Sequence, residues 1–388
     1  MARIIIVGGG VMGSSAAYHL AMAGAAADVT VIEPDPTYEF AATPRSSGGV
    51  RSLHSLPENI QLALYSQQVY GDFDTLMAVD GEVPHLGFRR HGYLNIATKP
   101  ESAEILESAW KIQTREGARV DLLDAGAVKA RFPSLNTDDV INAANAIDDG
   151  SLDPYAALTG FRKKATSLGV EYRKDRVVGV GHSGGLARGV TLESGETLAA
   201  DFVVNLTGAW ASEICAMVGM KIPVEPMRRM TFFFECREEL EVLPTTRDDS
   251  GVSVRPEGKG FISGFTDKNE PGGWNWEMVP DFFERVIWES LAHRVPKFAA
   301  IRLGRSWPGH YAQNRLDGNV IIGPWEGEME NFITATGFSG AGLQKAPAIG
   351  RAIKELVIDG GYQTIDLTRF SYRRVRENRP LLEAGLTA

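Results

Sequence analysis

Cysteine is scarce: the 388 residues hold two, Cys215 and Cys236. Two cannot build a disulfide framework, and their spacing matches no zinc motif. No metal site is expected, and both thiols read as core residues of a reducing compartment. Positive charge is not in excess either, since 40 Lys and Arg face 49 Asp and Glu, a formal net charge of -9. A nucleic-acid partner would call for a basic patch, so none is expected. No apolar run approaches the roughly 20 residues that a membrane span needs. The opening "MARIIIVGGG" carries a four-residue apolar run, too short for a secretory signal. The expectation is a soluble, cytoplasmic protein. Internal repeats, low-complexity tracts and flexible linkers are missing as well.

Glycine, by contrast, is abundant: 42 residues, clustered at turns that follow apolar runs. The first cluster lies in "RIIIVGGGVMGSSAAYHLAMAG". The continuous apolar run Ile4–Val7 predicts a parallel strand covered on both faces. A tight turn follows, and from Ser14 small and apolar residues predict a helix packed closely on that strand. "ADVTVIEP" predicts a second strand ending at Glu33, followed by Pro34, which completes a βαβ unit. Within Gly8-Gly9-Gly10-Val11-Met12-Gly13, the glycines 8, 10 and 13 fit GxGxxG in the right context. Gly8 makes the turn and Gly10 leaves room for a pyrophosphate. Gly13 lets helix and strand approach, and the phosphate sits at the helix N-terminus. Glu33 stands twenty residues past Gly13, where a carboxylate accepts the hydroxyls of an adenosine ribose.

Further along, helices are expected over 57–80, 101–118, from Pro154 to a stop at Gly169, over 280–296, and from Leu343 to about Ile358. Strand patterns fall at "RRHGYLNIAT", through 170–208, at "MRRMTFFFEC", at "GVSVRPEGKGFISGF", and at "GNVIIGP" and "NFITATG". Strand-rich blocks alternate with βαβ pieces, so two interleaved domains are expected, the chain crossing between them several times. A second GxGxxG, through Gly179, Gly181 and Gly184, precedes an alternating strand pattern and not a helix; it is assigned to a β-hairpin. Small residues in "ATPRSSGGVRSLH" after Glu33 would let a cofactor longer than NAD lie along the backbone, with Arg51 beside a flavin ring.

These stretches, together with "DDGSLDPYAALTGF", "VVNLTGAWASEI" and "GNVIIGP…ITATGFSGAGLQKAPAIGRAI", resemble the D-amino-acid-oxidase-type (glutathione-reductase-2 fold) FAD-dependent oxidoreductases. Sarcosine oxidase, glycine oxidase and dimethylglycine dehydrogenase are of this kind. The resemblance covers nearly the whole chain. Its last part is most similar to a branch that includes a respiratory complex I assembly protein, so an assembly or binding factor with little turnover stands as an alternative to an enzyme. So does a hydroxy-acid dehydrogenase of the same fold.

The resemblance implies an α/β plus α+β fold. A discontinuous Rossmann-like FAD-binding domain (1–86, 146–222, 318–388) is interleaved with a mixed or antiparallel-sheet substrate domain (87–145, 223–317). It implies FAD contacts from Gly8, Gly10, Val11, Met12, Gly13, Glu33 and Pro34, and from Ser46, Ser47, Gly48, Gly49, Val50 and Arg51. Val177 is placed at the adenine. Thr207, Gly208 and Trp210 are placed along the pyrophosphate and ribityl chain, and Gly309 near the ring. Gly337, Ser339, Gly340, Ala341, Gly342, Leu343 and Gln344 form a loop facing the flavin pyrimidine, where a helix start would stabilise reduced, anionic flavin. The late glycine loop thus becomes the far end of the site that Gly8–Gly13 opens.

Several positions depart from the pattern. "SWPGHYAQN" has no cysteine and "PRSSGG" no histidine for covalent attachment, so FAD is expected to be held non-covalently. The carboxylate-gripping arginine falls on His54 and its partner lysine on Gln344. A lysine linked to oxygen activation falls near Ile262. In their place Arg255 is a candidate anchor for a substrate carboxylate. His310 and Tyr311 are candidates for the substrate face, with His91 a weaker one. The reaction the resemblance implies is oxidation of the C–N bond of a small amine, N-methyl or imino acid by hydride transfer to flavin N5. Oxygen or an electron carrier takes the electrons, and the missing lysine favours a carrier. The oligomeric state is left open.

Overall fold

Ile4–Val7 is a strand with every residue buried, because both of its faces are covered. Ile4 and Ile6 pack under three helices, Val11–Leu20, Pro154–Ser167 and Ala346–Lys354. Ile5 and Val7 pack against a separate three-stranded antiparallel sheet, Val177–Ser183, Leu186–Leu192 and Thr197–Ala199. That small sheet holds Gly179 and Gly181, with Gly184 in the turn between its first two strands, so the second GxGxxG is a hairpin. The computed structural model describes residues 2–267 and 269–385.

The sheet that Ile4–Val7 centres has six strands. In order they are Ile321–Trp325, Met329–Thr336, Phe202–Asn205, Ile4–Val7, Val29–Ile32 and Glu171–Arg173. All neighbours are parallel except Ile321–Trp325 against Met329–Thr336. The chain leaves Ile4–Val7 towards Val29–Ile32 and later returns on its other side as Phe202–Asn205. The first glycine turn therefore opens at a topological switch point, where ligands bind in open α/β sheets.

A second sheet has eight strands. In order they are Ile301–Asn314, Val224–Cys236, Gly260–Phe265, Val252–Glu257, Thr245–Arg247, Tyr93–Ala97, Asn142–Ala146 and Val120–Leu123. One face is apolar: Leu94, Ile96, Met230, Phe232, Phe234, Val252 and Val254 pack on Phe283, Ile287 and Leu291. Strand alternation puts the other set on the opposite face. Register aligns Arg229 with Gly309, Thr231 with Trp307 and Gly264, Ser253 with Arg247, and Arg247 with Asn95. That face carries Arg229, Thr231, Ser253 and Arg247, shared with Phe233 and Ile262, so the alternation in "MRRMTFFFEC" holds only over Arg229–Phe232.

Helix boundaries differ from the sequence expectation in instructive ways. The first helix begins at Val11, three residues before Ser14, so Gly13 lies in its first turn. The helix expected over 57–80 stops at Gly71, and a short turn Phe73–Leu76 follows. Helices Pro57–Gly71, Pro100–Arg115 and Pro154–Ser167 each start on proline, whose missing N–H costs nothing there. The last helix starts at Ala346 and not at Leu343, and the residues between form a 3-10 turn. Pro347 sets this limit: had the helix begun at Leu343, position 347 would have to donate an amide hydrogen that proline lacks.

Candidate functional site

Each glycine of the first turn does a separate task. Gly8 has φ +98, and a Cβ there would stand 2.8 Å from the Leu206 carbonyl oxygen. A Cβ on Gly13 would stand 1.9 Å from the Gly8 oxygen, so helix and strand touch through glycine. At Gly10 a Cβ would meet nothing within 4 Å. The absent side chain leaves open space over the start of the Val11–Leu20 helix, whose first amides have no partner of their own in the helix.

That space belongs to a cavity of about 550 Å³, in the range of cofactor sites. Of the sequence-predicted residues, it is lined by Gly8, Gly10, Val11, Met12, Glu33, Pro34, Ser46, Val177, Thr207, Gly208, Trp210, Ser339, Gly340, Gly342 and Leu343, and by His310 and Tyr311. One chamber thus joins the first glycine turn to the loop after Met329–Thr336. Helix packing holds the two together: the Ser15 hydroxyl donates to the Ala346 carbonyl at 2.8 Å, and a Cβ on Gly350 would lie 2.2 Å from that hydroxyl. Ser339, with φ +48, is a non-glycine residue in left-handed backbone at the bend of the loop. Its hydroxyl accepts from the Asn314 amide at 3.0 Å and its own amide donates to Ala312 at 3.0 Å.

Glu33 accepts from the Gly9 amide at 2.8 Å and the Asp35 amide at 2.9 Å. Burial raises its carboxyl above the usual range, and these two donors oppose that. A carboxylate has further acceptor sites, and Glu33 lines the cavity.

Gly13, Ser47, Gly48, Gly49, Val50, Arg51, Gly309, Gly337, Ala341 and Gln344 are not among the lining residues. Several of them pack behind its wall. Gly48, at φ +76, lies against the Leu152 oxygen, and Gly49 against the Tyr93 hydroxyl. Gly309 lies against Arg45, and Gly337, at φ +77, against Asn314. Gln344 is buried and accepts from the Arg51 amide at 3.1 Å, which ties the loop of 46–51 to the late glycine loop.

His54 does not reach the cavity. It lies buried behind the loop, with Nε2 3.3 Å from Gln344 Nε2 and Nδ1 3.5 Å from Glu383 Oε1. Burial, and next Lys345, pushes its pKa down to about 4, so it is neutral at neutral pH. Lys345 is buried too, donates to Asn59 at 2.7 Å, and is pushed down to about 7 by burial. Glu383 accepts from the amide and hydroxyl of Ser55, both at 2.6 Å, and from Asn59. Sequence reading assigned position 344 a lost cation, and the cation stands one position on, pointing into a structural network.

Arg255 also departs from its expected role. One of its terminal nitrogens donates to Glu257 at 2.5 Å, Pro256 O at 2.9 Å and Ser151 at 3.3 Å. It is engaged by the protein. His91 bonds Thr245 at 3.1 Å. His310 is on the cavity wall. Its Nε2 accepts from the Asn275 amide at 3.0 Å, its ring packs on Trp274 and Trp276, and burial pushes it down to about 4. His310 is therefore a neutral wall residue with one ring nitrogen, Nδ1, buried and unpartnered.

Sequence reasoning missed Tyr38, Phe40, Thr43 and Trp274 on the wall, and Arg229 and Arg247 beside Tyr311. The arginines were readable from strand alternation. Trp274 was not, because it stands in an irregular loop. Asp149 was missed as well: it is wholly buried, accepts from Ser52 and Gln67, and burial raises it to about 7. Among the described residues no group of three or more His, Cys, Asp or Glu is placed to hold a metal, and no helix is long and apolar enough to cross a membrane.

A parallel sheet with a glycine turn at its switch point, a cavity running to a second sheet, and a late glycine loop closing that cavity define a Rossmann-like dinucleotide-dependent oxidoreductase. The chain belongs to the family described as "DAO: FAD dependent oxidoreductase", whose profile matches residues 3–356. The family is FAD-dependent, and the open space at Gly10 and the chamber beyond it fit that cofactor. The chain is 36% identical over 424 residues to "FAD-dependent oxidoreductase domain-containing protein 1" of Xenopus laevis, covering 99% of this chain and 85% of that one. It is 28% identical to "4-methylaminobutanoate oxidase (formaldehyde-forming)" of Paenarthrobacter nicotinovorans, covering 98% of this chain but 47% of the longer protein. Among solved structures it is similar to L-proline dehydrogenase from P. horikoshii, with TM-score 0.88, 25% identity, and coverage of 98% and 99% of the two chains.

Proposed function

We propose that this protein oxidises the C–N bond of a small amine or amino acid, N-methylated or cyclic. The observation that carries this reading is the Tyr311 end of the cavity. There Tyr311, with the Arg229 guanidinium over its ring, meets Gly340 of the late glycine loop. When bound, FAD supplies a two-electron acceptor that takes hydride from the carbon next to nitrogen. The substrate leaves as an iminium or imine, which water hydrolyses to a carbonyl compound and an amine.

Such a reaction needs a neutral amine lone pair and a dry site more than a proton acceptor at carbon. His310 suits that demand, since it stays neutral and adds no charge beside a positively charged iminium. Gly8, Gly10, Val11 and Met12 would hold the diphosphate, Glu33 the ribose, Val177 the adenine side, and 339–343 the ring end. No covalent attachment is expected at Trp307–Gly309. Ile262, aligned with Arg255, gives no cation for oxygen activation, so an electron carrier is the favoured acceptor.

The test is anaerobic mixing of the flavin-loaded protein with N-methyl amino acids, proline, glycine, D-amino acids and matched 2-hydroxy acids. Bleaching of the flavin by an amine, with an equal yield of carbonyl product, is expected. Bleaching by hydroxy acids alone would overturn the C–N assignment.

A further inference from the structure

Arg229 and Arg247 beside Tyr311, and Arg51 beside Arg247, form no ion pair among the described residues. Arg229 stacks over the Tyr311 ring at 5.1 Å, and its side chain donates only to the Arg228 carbonyl. Arg247 lies near Arg51, Tyr311 and Tyr93; burial, and next Arg51, pushes its pKa down to about 10. The Nε atoms of Arg51, Arg229 and Arg247 are each buried and unpartnered. Among the described residues none of the three is in an ion pair.

The acids nearby are already committed. Asp149 accepts from Ser52 and Gln67 and feels the charge of Arg51, but forms no ion pair with it. Glu270 pairs with Arg228, Asp248 with Arg294, and Asp267 caps its own turn at Asn269. These acids act on the three guanidinium groups only from a distance. Gathering like-charged groups with no ion pair costs folding energy, and a fold keeps such a cost where a ligand supplies the direct partner. One carboxylate offsets one of these cations.

We infer that the substrate of this site carries a second acid group: an N-substituted amino dicarboxylate, one carboxylate taken near Arg51 and the other between Arg229 and Arg247. The inference rests on the C–N reading above for the reaction, but not for the binding. A guanidinium offers a planar two-point grip that suits each carboxylate, and Tyr311 adds a hydroxyl on the cavity wall.

The experiment has two arms, both on the flavin-loaded protein. In the first, the redox-inactive probes glutarate and succinate are compared with butyrate, through their perturbation of the flavin spectrum and their shift of the melting temperature. The diacids are expected to bind roughly tenfold or more tightly than butyrate, a preference that falls to near parity in both Arg247→Gln and Arg229→Gln. Arg→Gln removes an unpaired cation, so both variants are expected to melt no lower than the parent, which separates lost binding from lost fold. Equal binding of butyrate and glutarate, or a diacid preference unchanged in both variants, would overturn the inference. In the second arm, N-methylglutamate, N-methylaspartate and iminodiacetate are compared with sarcosine and proline as reductants. A lower KM for a diacid, rising in the variants, supports the inference. A preference for the monoacids defeats it while leaving C–N oxidation standing. Arginine-dependent binding of diacids with flavin bleached only by hydroxy diacids sustains the two-acid site and removes the amine.

Discussion

His54 shows how a single position changes meaning once its neighbours are known. By resemblance it stands where a carboxylate grip would be; in the fold it is a buried neutral ring between Gln344 and Glu383. Its folded pKa, about 4, lies below the unfolded value near 6.5. Between these values the unfolded chain binds more protons, so stability rises with pH through the window and is lost as pH falls from about 6.5 towards 4. Asp149, raised to about 7, titrates with the opposite sign over part of the range, so only a paired comparison isolates His54. Urea unfolding of the parent and of His54→Gln at pH 7 and pH 5 makes that comparison. The parent is expected to lose about 2 kcal/mol more than the variant between the two. Equal losses would place a protonated His54 in the native state.

At the scale of elements, the glycine turn separates packing from binding. Gly13→Ala drives a Cβ into the Gly8 carbonyl, so the helix must move off the strand; a loss of about 1–3 kcal/mol and of flavin together is expected. Gly10→Val adds its side chain to open space, so melting of the flavin-free protein should barely change while flavin is lost. If both variants lost stability equally, the turn would serve packing alone. The βαβ unit was legible because a continuous apolar run, three spaced glycines and Glu33 all agree on it. The start of the last helix was misplaced because the proline limit at Pro347 was not applied. Arg229 and Arg247 were overlooked although Met230, Phe232 and Phe234 mark the buried side of their sheet. What no local pattern could show is that Glu383, almost at the end of the chain, folds back to Ser55, Asn59 and His54. Such long-range polar closure depends on the assembled fold.

Over the whole molecule, the strands of each large sheet come from segments scattered along the sequence, and the cavity lies where they meet. Gly8, Gly10, Val11 and Met12 stand more than 320 positions from Ser339, Gly340, Gly342 and Leu343, yet all of them line one chamber. The chain's length in common with its relatives, and the match over residues 3–356, fit a site built from both ends. The central claim is that these two glycine loops close on one non-covalently held FAD. Its most direct test is to purify the protein, denature it, and measure flavin in the soluble and protein fractions. The account predicts free FAD in the soluble fraction, about equimolar with the chain, and its absence from folded Gly10→Val. Flavin that stays with the denatured chain, or a native protein that retains a nicotinamide nucleotide instead, would contradict it.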